Sequence, residues 1–227
     1  MEAVKINRHS IPISGEIAVP GSKSYSNRIL LAAALTYGDS AISGVLESDD
    51  TYAMIETLRS LGIKISQQND NIHISGCNGD WPHKHGDLNM GSAGTVARFV
   101  TAVLAFSKSG EWDCDASDQM RDRPMDGLLK ALESLGVNIQ YKKKQHHLPF
   151  SIKAQSITQH TVVVSGKVSS QYISALLMAA PLVEGQLTIM ISDHIVQSDY
   201  VRITLQVLQQ FGIKVAVNES FTQFNIQ

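Results

Sequence analysis

Three glycine- and hydroxyl-rich stretches carry the residues of this 227-residue chain that could do chemistry. Residues 21–36 read GSKSYSNRILLAAALT, 91–107 read GSAGTVARFVTAVLAFS and 166–181 read GKVSSQYISALLMAAP. Each opens on small residues and turns into an apolar helix. The first four N–H groups of a helix lack partners and the dipole there is positive, so phosphates and carboxylates bind such ends. Hydroxyls at Ser24, Thr95, Ser169 and Ser170 could add hydrogen bonds. Lys23 lies in the first helix start, Arg28 one turn deeper, and Arg98 at the same depth of the second helix. Arg121 and Arg123 precede a further helix, with Pro124 at a position suited to its first turn. Lysine supplies a mobile point charge, arginine a planar fork that matches phosphate or carboxylate. At any one helix, capping accounts for the hydroxyls, and any one of these cations alone reads as a solvated surface charge. Repetition at three places, with cations beside them, favours an anion site. The spacing is not that of a P-loop, and no His-Glu-x2-His pattern or Cys/His cluster is present. His83, His85, His146 and His147 lie in polar stretches that read as loops, with no metal role.

The elements that must position these residues show an internal repeat. Residues 48–66, 121–140 and 198–216 each open near an acidic residue, run through apolar positions at helical spacing, and stop at Gly62, Gly136 and Gly212. Those glycines are 74 and 76 residues apart. Asp50, Asp126 and Asp199 suit the positive ends of the helices, and each glycine suits a left-handed cap. Alternating Ile63/Ile65, Val137/Ile139 and Ile213/Val215 begin strands. Further strands are predicted at 41–45, 111–116 and 187–191, and at 71–75, 150–154 and 221–226. The fold class is therefore α/β: three pseudo-symmetric βαβαββ units around a shared helical core, spanning 21–227, with the three upstream helix starts on one side. Residues 1–20 hold one strand, near 16–19, that the pattern alone does not place.

Composition narrows the function classes. Nineteen basic and 21 acidic residues leave a net charge of −2, so no global field draws nucleic acid or an anionic membrane, and any anion site must be local. Cys77 and Cys114 read as two free thiols. No secretory leader is visible at residues 1–10, and the apolar stretches 29–35 and 173–183 are too short to span a bilayer. A cytoplasmic protein is expected.

Four motifs carry a resemblance. Residues 20–36, 91–99 (GSAGTVARF), 121–126 (RDRPMD) and 166–182 resemble, in order, the signatures of 5-enolpyruvylshikimate-3-phosphate synthase. That resemblance implies two domains, each of three βαβαββ units with helix N-termini facing a cleft, and implies that residues 1–20 form a crossover strand belonging to the second domain. The reaction it implies moves the enolpyruvyl group of phosphoenolpyruvate to the 5-hydroxyl of shikimate 3-phosphate, in chorismate biosynthesis, without metal or cofactor. It assigns Lys23 to both substrates and to proton donation. Ser24, Arg28, Ser169, Ser170, Gln171 and Tyr200 fall to shikimate 3-phosphate. Gly94, Arg123 and Gln171 join Lys23 at phosphoenolpyruvate, Gly94 because its bare backbone permits close approach.

The chain departs from that pattern in places. Gln197-Ser198-Asp199-Tyr200 stands where a Ser-x-Pro-Tyr pattern is usual, so that either Gln197 or Ser198 supplies one phosphate contact. Phe99 replaces a proline that often follows the second-motif arginine. The related UDP-N-acetylglucosamine enolpyruvyl transferases open with Lys-Asn, not Lys23-Ser24, and place their loop cysteine nearer the Arg-Pro pair than Cys114 is. The family is about twice as long, and its second half supplies a carboxylate base, a lysine-glutamate region and two more arginines for phosphoenolpyruvate. A substrate-gathering half-site is thus expected, inactive without a C-terminal domain; the competing expectation is a non-catalytic binding module or one piece of a split enzyme. The face that would meet a second domain is open to self-association. Lys23→Ala and Arg28→Ala are expected to weaken ligand binding and leave folding nearly intact, as exposed charges do.

Overall fold

The computed structural model describes residues 4–5, 12 and 14–226. Its elements fall into three successive units. The first holds α1 (Lys23–Leu35), β1 (Tyr37–Ser43), α2 (Asp49–Ser60), β2 (Ile65–Gln68) and β3 (Asn71–Cys77). The second holds β4 (His85–Asn89), α3 (Gly94–Ala105), β5 (Glu111–Asp115), the short α4 (Asp118–Arg121), α5 (Asp126–Ser134), β6 (Ile139–Tyr141) and β7 (Phe150–Lys153). The third holds β8 (Thr161–Val164), α6 (Ser170–Ala179), β9 (Leu187–Ile191), α7 (Ser198–Gln210), β10 (Val215–Val217) and β11 (Gln223–Ile226).

Each unit makes its own sheet. The strand orders are β1-β3-β2, β4-β5-β7-β6 and β8-β9-β11-β10. In the second and third sheets the unit's first strand runs parallel to its second, and all other pairs are antiparallel. The first sheet is antiparallel throughout and has no counterpart of β4 or β8, so β1 is an edge among the described residues. The strand expected near 16–19, which the resemblance assigns to a second domain, does not form. Residues 14–20 are instead irregular and exposed, with Ile17 at 87% and Val19 at 79%. A short isolated segment gains no ladder hydrogen bonds unless it meets a sheet edge, and this one does not reach β1.

Local signals explain the helices. At α2, the Ser48 hydroxyl accepts from Thr51 N–H and the Thr51 hydroxyl accepts from Ser48 N–H, a reciprocal cap. Gly62, Gly136 and Gly212 have φ of +89°, +96° and +79°, the left-handed stops that their positions after α2, α5 and α7 call for. Every residue of α3 is buried, which fits a sequence apolar on all sides. α3 packs on α6, α6 on α7, and α1 on α2 and α7, so the helices share one core inside the three sheets.

Some boundaries moved. The strand expected at 41–45 forms at Tyr37–Ser43, directly after α1. His85 begins β4 rather than lying in a loop, because the strand pairs with β5 through its backbone whatever its side chains. Pro124 is outside the helix it was expected to open; α5 starts two residues later, behind Met125. Its carbonyl is taken by side chains from α3 and α6, which fixes the proline in the preceding turn.

Candidate functional site

Side-chain hydrogen bonds tie the starts of α1, α3 and α6 to one another. Asn27 Nδ2 on α1 donates to the Thr95 hydroxyl on α3 at 2.8 Å. Arg98 Nη1 on α3 donates to Gln171 Oε1 on α6 at 2.5 Å. Arg28 Nη2 on α1 donates to the Ser174 hydroxyl on α6 at 3.2 Å. The three helix starts therefore meet on one side, as the pseudo-symmetry requires.

Two guanidinium groups gather at the start of α3. A methyl group built on Gly94 would lie 2.5 Å from Nη1 of Arg98 and 3.1 Å from Nη1 of Arg123. Arg98 is 3% exposed. Besides Gln171, it donates through Nη2 to the Pro124 carbonyl at 2.7 Å, and it lies over the Tyr172 ring, 5.6 Å from the centroid. Tyr172 donates to the same carbonyl. The Nε of Arg98 is buried with no partner, a costly arrangement that an incoming acceptor would relieve. Arg123 is exposed, within 3.5 Å of the Ser92 carbonyl. Among the described residues, neither arginine has a carboxylate within ion-pair reach. Burial lowers the pKa of Arg98, and the neighbouring Arg123 charge pushes the same way. Two like charges at the positive end of a helix, without a counter-ion, make a place for an anion.

Lys23, the first residue of α1, is half-exposed and pairs with Asp50 at 3.0 Å. Asp50 was expected only to complement the dipole of α2; it also holds the lysine ammonium. Ser24 is half-buried, and its carbonyl accepts from Arg28 Nη1. Ser169 caps α6, its hydroxyl accepting from Gln171 N–H at 3.2 Å. Ser170 is 1% exposed at the first position of that helix. Gln171 is half-buried and engaged by Arg98, and Tyr200 is 39% exposed in the first turn of α7. Gln197 precedes α7 with φ of +53° and makes no side-chain cap, while Ser198 is the first residue of the helix.

Three expectations need correction. Arg28 is not an exposed charge: it is 1% exposed. Its Nε donates to Thr204 Oγ1 at 2.7 Å, Nη1 to the Ser24 carbonyl, Nη2 to Ser174 Oγ and the Tyr200 carbonyl, and its guanidinium lies over Phe99 at 4.9 Å. Burial, which favours the neutral form, lowers its pKa to about 10. The Thr95 hydroxyl is likewise buried and occupied by Asn27. Arg121 is not free either. It grips Asp115 with two bonds, Nε to Oδ1 at 2.8 Å and Nη2 to Oδ2 at 2.6 Å, and pairs with Asp118. It braces the turn that carries Arg123.

Other features lie apart from the helix starts. A groove of about 680 Å³ is lined by Arg59, His73 and His83 at the far end of α2. Cys77 and Cys114 are free, and burial raises both thiols. Among the described residues no helix is long and apolar enough to cross a membrane, and no group of three His, Cys, Asp or Glu is placed to hold a metal ion.

The family model of EPSP synthase (3-phosphoshikimate 1-carboxyvinyltransferase) matches residues 8–227. The chain belongs to the EPSP synthase family. It is 42% identical over 207 residues to the 3-phosphoshikimate 1-carboxyvinyltransferase 2 of Halalkalibacterium halodurans, covering 91% of this chain and 46% of that protein. To the 3-phosphoshikimate 1-carboxyvinyltransferase of Marinomonas sp. it is 39% identical over 216 residues, covering 94% and 50%. The solved EPSP synthase of Acinetobacter baumannii has the same fold over 93% of this chain and 46% of its own, with a TM-score of 0.79 at 24% identity. The chain thus spans about half the length of the EPSP synthases it matches.

Sequence reasoning noted Arg98 as a cation but gave it no substrate, and it did not anticipate that Asp50 engages Lys23. The matching depth of Arg28 and Arg98 below their helix starts was the available signal for pairing the two arginines. Arg28→Ala strands the Thr204 and Ser174 hydroxyls and two carbonyls, so it lowers unfolding free energy by about 3 kcal/mol in urea titrations. Asp115 has its carboxyl pKa lowered by the Arg121 bonds. A folded value below the unfolded 3.8 means that the contribution is full above that pH and is lost as pH falls through the lower folded value. The stability gap between the native chain and Asp115→Asn therefore closes below pH 3.8 in acid titrations followed by circular dichroism.

Proposed function

We propose that this chain provides the shikimate 3-phosphate side, and part of the phosphoenolpyruvate side, of an enolpyruvyl transferase active site. The observation that carries the reading is the cluster of Gly94, Arg98, Arg123 and Gln171: two guanidinia on a helix start with no counter-ion and one unsatisfied buried N–H. Phosphoenolpyruvate carries both a phosphate and a carboxylate, and this cluster offers charge for them at a backbone with no side chain in the way. Gln171 stands between that cluster and the Ser169–Ser170 start of α6, which suits the phosphate of shikimate 3-phosphate. Ser24 and Tyr200 flank the same ring substrate. Arg28 supports it from beneath, through the Ser24 and Tyr200 carbonyls.

In the reaction, the 5-hydroxyl oxygen bonds to C2 of the enol while a proton adds to its methylene carbon. Lys23 donates that proton, with Asp50 fixing the ammonium. The tetrahedral adduct then expels phosphate and loses a methyl proton, restoring the carbon–carbon double bond. The 5-hydroxyl proton needs a carboxylate base, and the relatives, twice as long, have a second half from which it would come. A C-terminal domain is accordingly the required partner, and the chain alone is a binding half-site without turnover. The cytoplasm suits it, since Cys77 and Cys114 remain thiols there.

Calorimetric titration of the chain with shikimate 3-phosphate should give saturable binding in the range of about 0.1–1 mM, because half of the site's contacts are in place. No heat and no chemical-shift change at millimolar ligand would rule out an assembled half-site. Phosphate release from the two substrates by the chain alone would rule out its dependence on a second domain.

A further inference from the structure

The loops before α6 and α7 are joined more firmly than their counterparts in the second unit. β8 and β9 are parallel neighbours, so the segments leaving them, residues 165–169 and 192–197, run side by side. Backbone bonds connect Ser192 N–H to the Val164 carbonyl at 3.2 Å and Val196 N–H to the Gly166 carbonyl at 3.0 Å. The second unit also makes two such bonds, Met90 N–H to the Asp115 carbonyl at 2.9 Å and Ser117 N–H to the Gly91 carbonyl at 3.0 Å. The third unit adds a carboxylate. Asp193 Oδ1 accepts from Gly166 N–H at 2.8 Å; its Oδ2 accepts from the Ser165 hydroxyl at 2.6 Å and from the Ser192 hydroxyl at 3.4 Å. The Ser165 hydroxyl in turn accepts from Lys167 N–H.

The loops touch so closely that Gly166 admits no side chain. A methyl group there would lie 2.6 Å from the His194 carbonyl oxygen and 2.8 Å from the Ile195 Cα. The carboxylate that ends β5 in the second unit, Asp115, spends its bonds on Arg121 and on its own neighbour Ala116. Asp193 alone spends them across the gap between two loops, one ending at Ser169–Gln171 and the other at Gln197–Tyr200. The Ser165 and Gly166 donors also hold its carboxyl below the ordinary carboxylate range, as strong acceptance requires.

We propose that Asp193 is a positioning residue: it clamps the Ser169–Gln171 start of α6 to the start of α7, and so aims the serine run at the phosphate of the phosphorylated ring substrate. This rests on the reading under Proposed function. Asp193 touches no substrate. It acts by fixing hydroxyls that work only within a few tenths of an ångström of their proper place.

The test compares the native chain with Asp193→Ala and Asp193→Asn, using shikimate 3-phosphate, unphosphorylated shikimate and amide hydrogen exchange. Asp193→Ala should weaken shikimate 3-phosphate by about tenfold, leave shikimate within about twofold, and speed exchange at Gly166 and Val196. Asp193→Asn, which retains an oxygen for Gly166 N–H, should recover part of the loss. Equal weakening of both ligands would mean a general structural role and overturn the proposal. So would unchanged exchange in both loops. If the native chain binds neither ligand, the aim at phosphate falls together with the half-site reading. Exchange then separates the two: acceleration confined to these loops keeps the clamp itself, and its absence removes that too.

Discussion

The buried guanidinium of Arg28 is the interaction on which the helix arrangement depends. It binds four oxygens from α1, α6 and α7, and covers Phe99 of α3, yet among the described residues no carboxylate pairs with it. A buried cation without a counter-ion is tolerated only when every donor is satisfied by a dipole. Those dipoles are Thr204, Ser174 and two carbonyls, and each must stay where it is for the charge to stay inside. Tyr25, which donates to Gln206, adds a second tie between α1 and α7. The result is a positive charge fixed behind the helix starts, adding to the dipoles that point outward from them. Arg98, one helix over, is likewise buried, with Tyr172 beneath it and the Pro124 carbonyl beside it, but its Nε is left without a partner.

This double use explains what could be seen in the sequence. The repeat was legible because glycine stops and apolar stripes are local signals: Gly62, Gly136 and Gly212 cap helices where their spacing puts them. The glycine-hydroxyl helix starts were legible for the same reason. The fate of individual cations was not. Arg28 meets partners 146 to 176 residues away, and nothing near it in the chain announces burial. Arg121 and Arg123 are two residues apart and look alike, but Asp115 claims only the first. The strand near 16–19 alternates correctly and still does not pair, because pairing is a property of two segments.

The three units have diverged in how they hold their helix starts. In the first, a lysine–aspartate pair spans α1 and α2. In the second, paired arginines crowd Gly94. In the third, hydroxyls and backbone N–H groups are organised by one carboxylate. One βαβαββ plan thus offers a point charge, two planar forks and a set of neutral donors to the same face. A symmetric site would recognise one group three times; an unsymmetric one can tell a carboxylate from a phosphate and both from a ring hydroxyl.

The open side of β1 has a consequence for handling this polypeptide. Among the described residues its outward backbone donors and acceptors along Tyr37–Ser43 meet no strand, and Tyr37 is 91% exposed at one end. Such a border is a template on which strands from other chains can grow. Gly38 and Asp39 are exposed near its start, and both are residues that disfavour strand growth. Asp39 is the one charged side chain on that border, and its exposed carboxylate works against such growth.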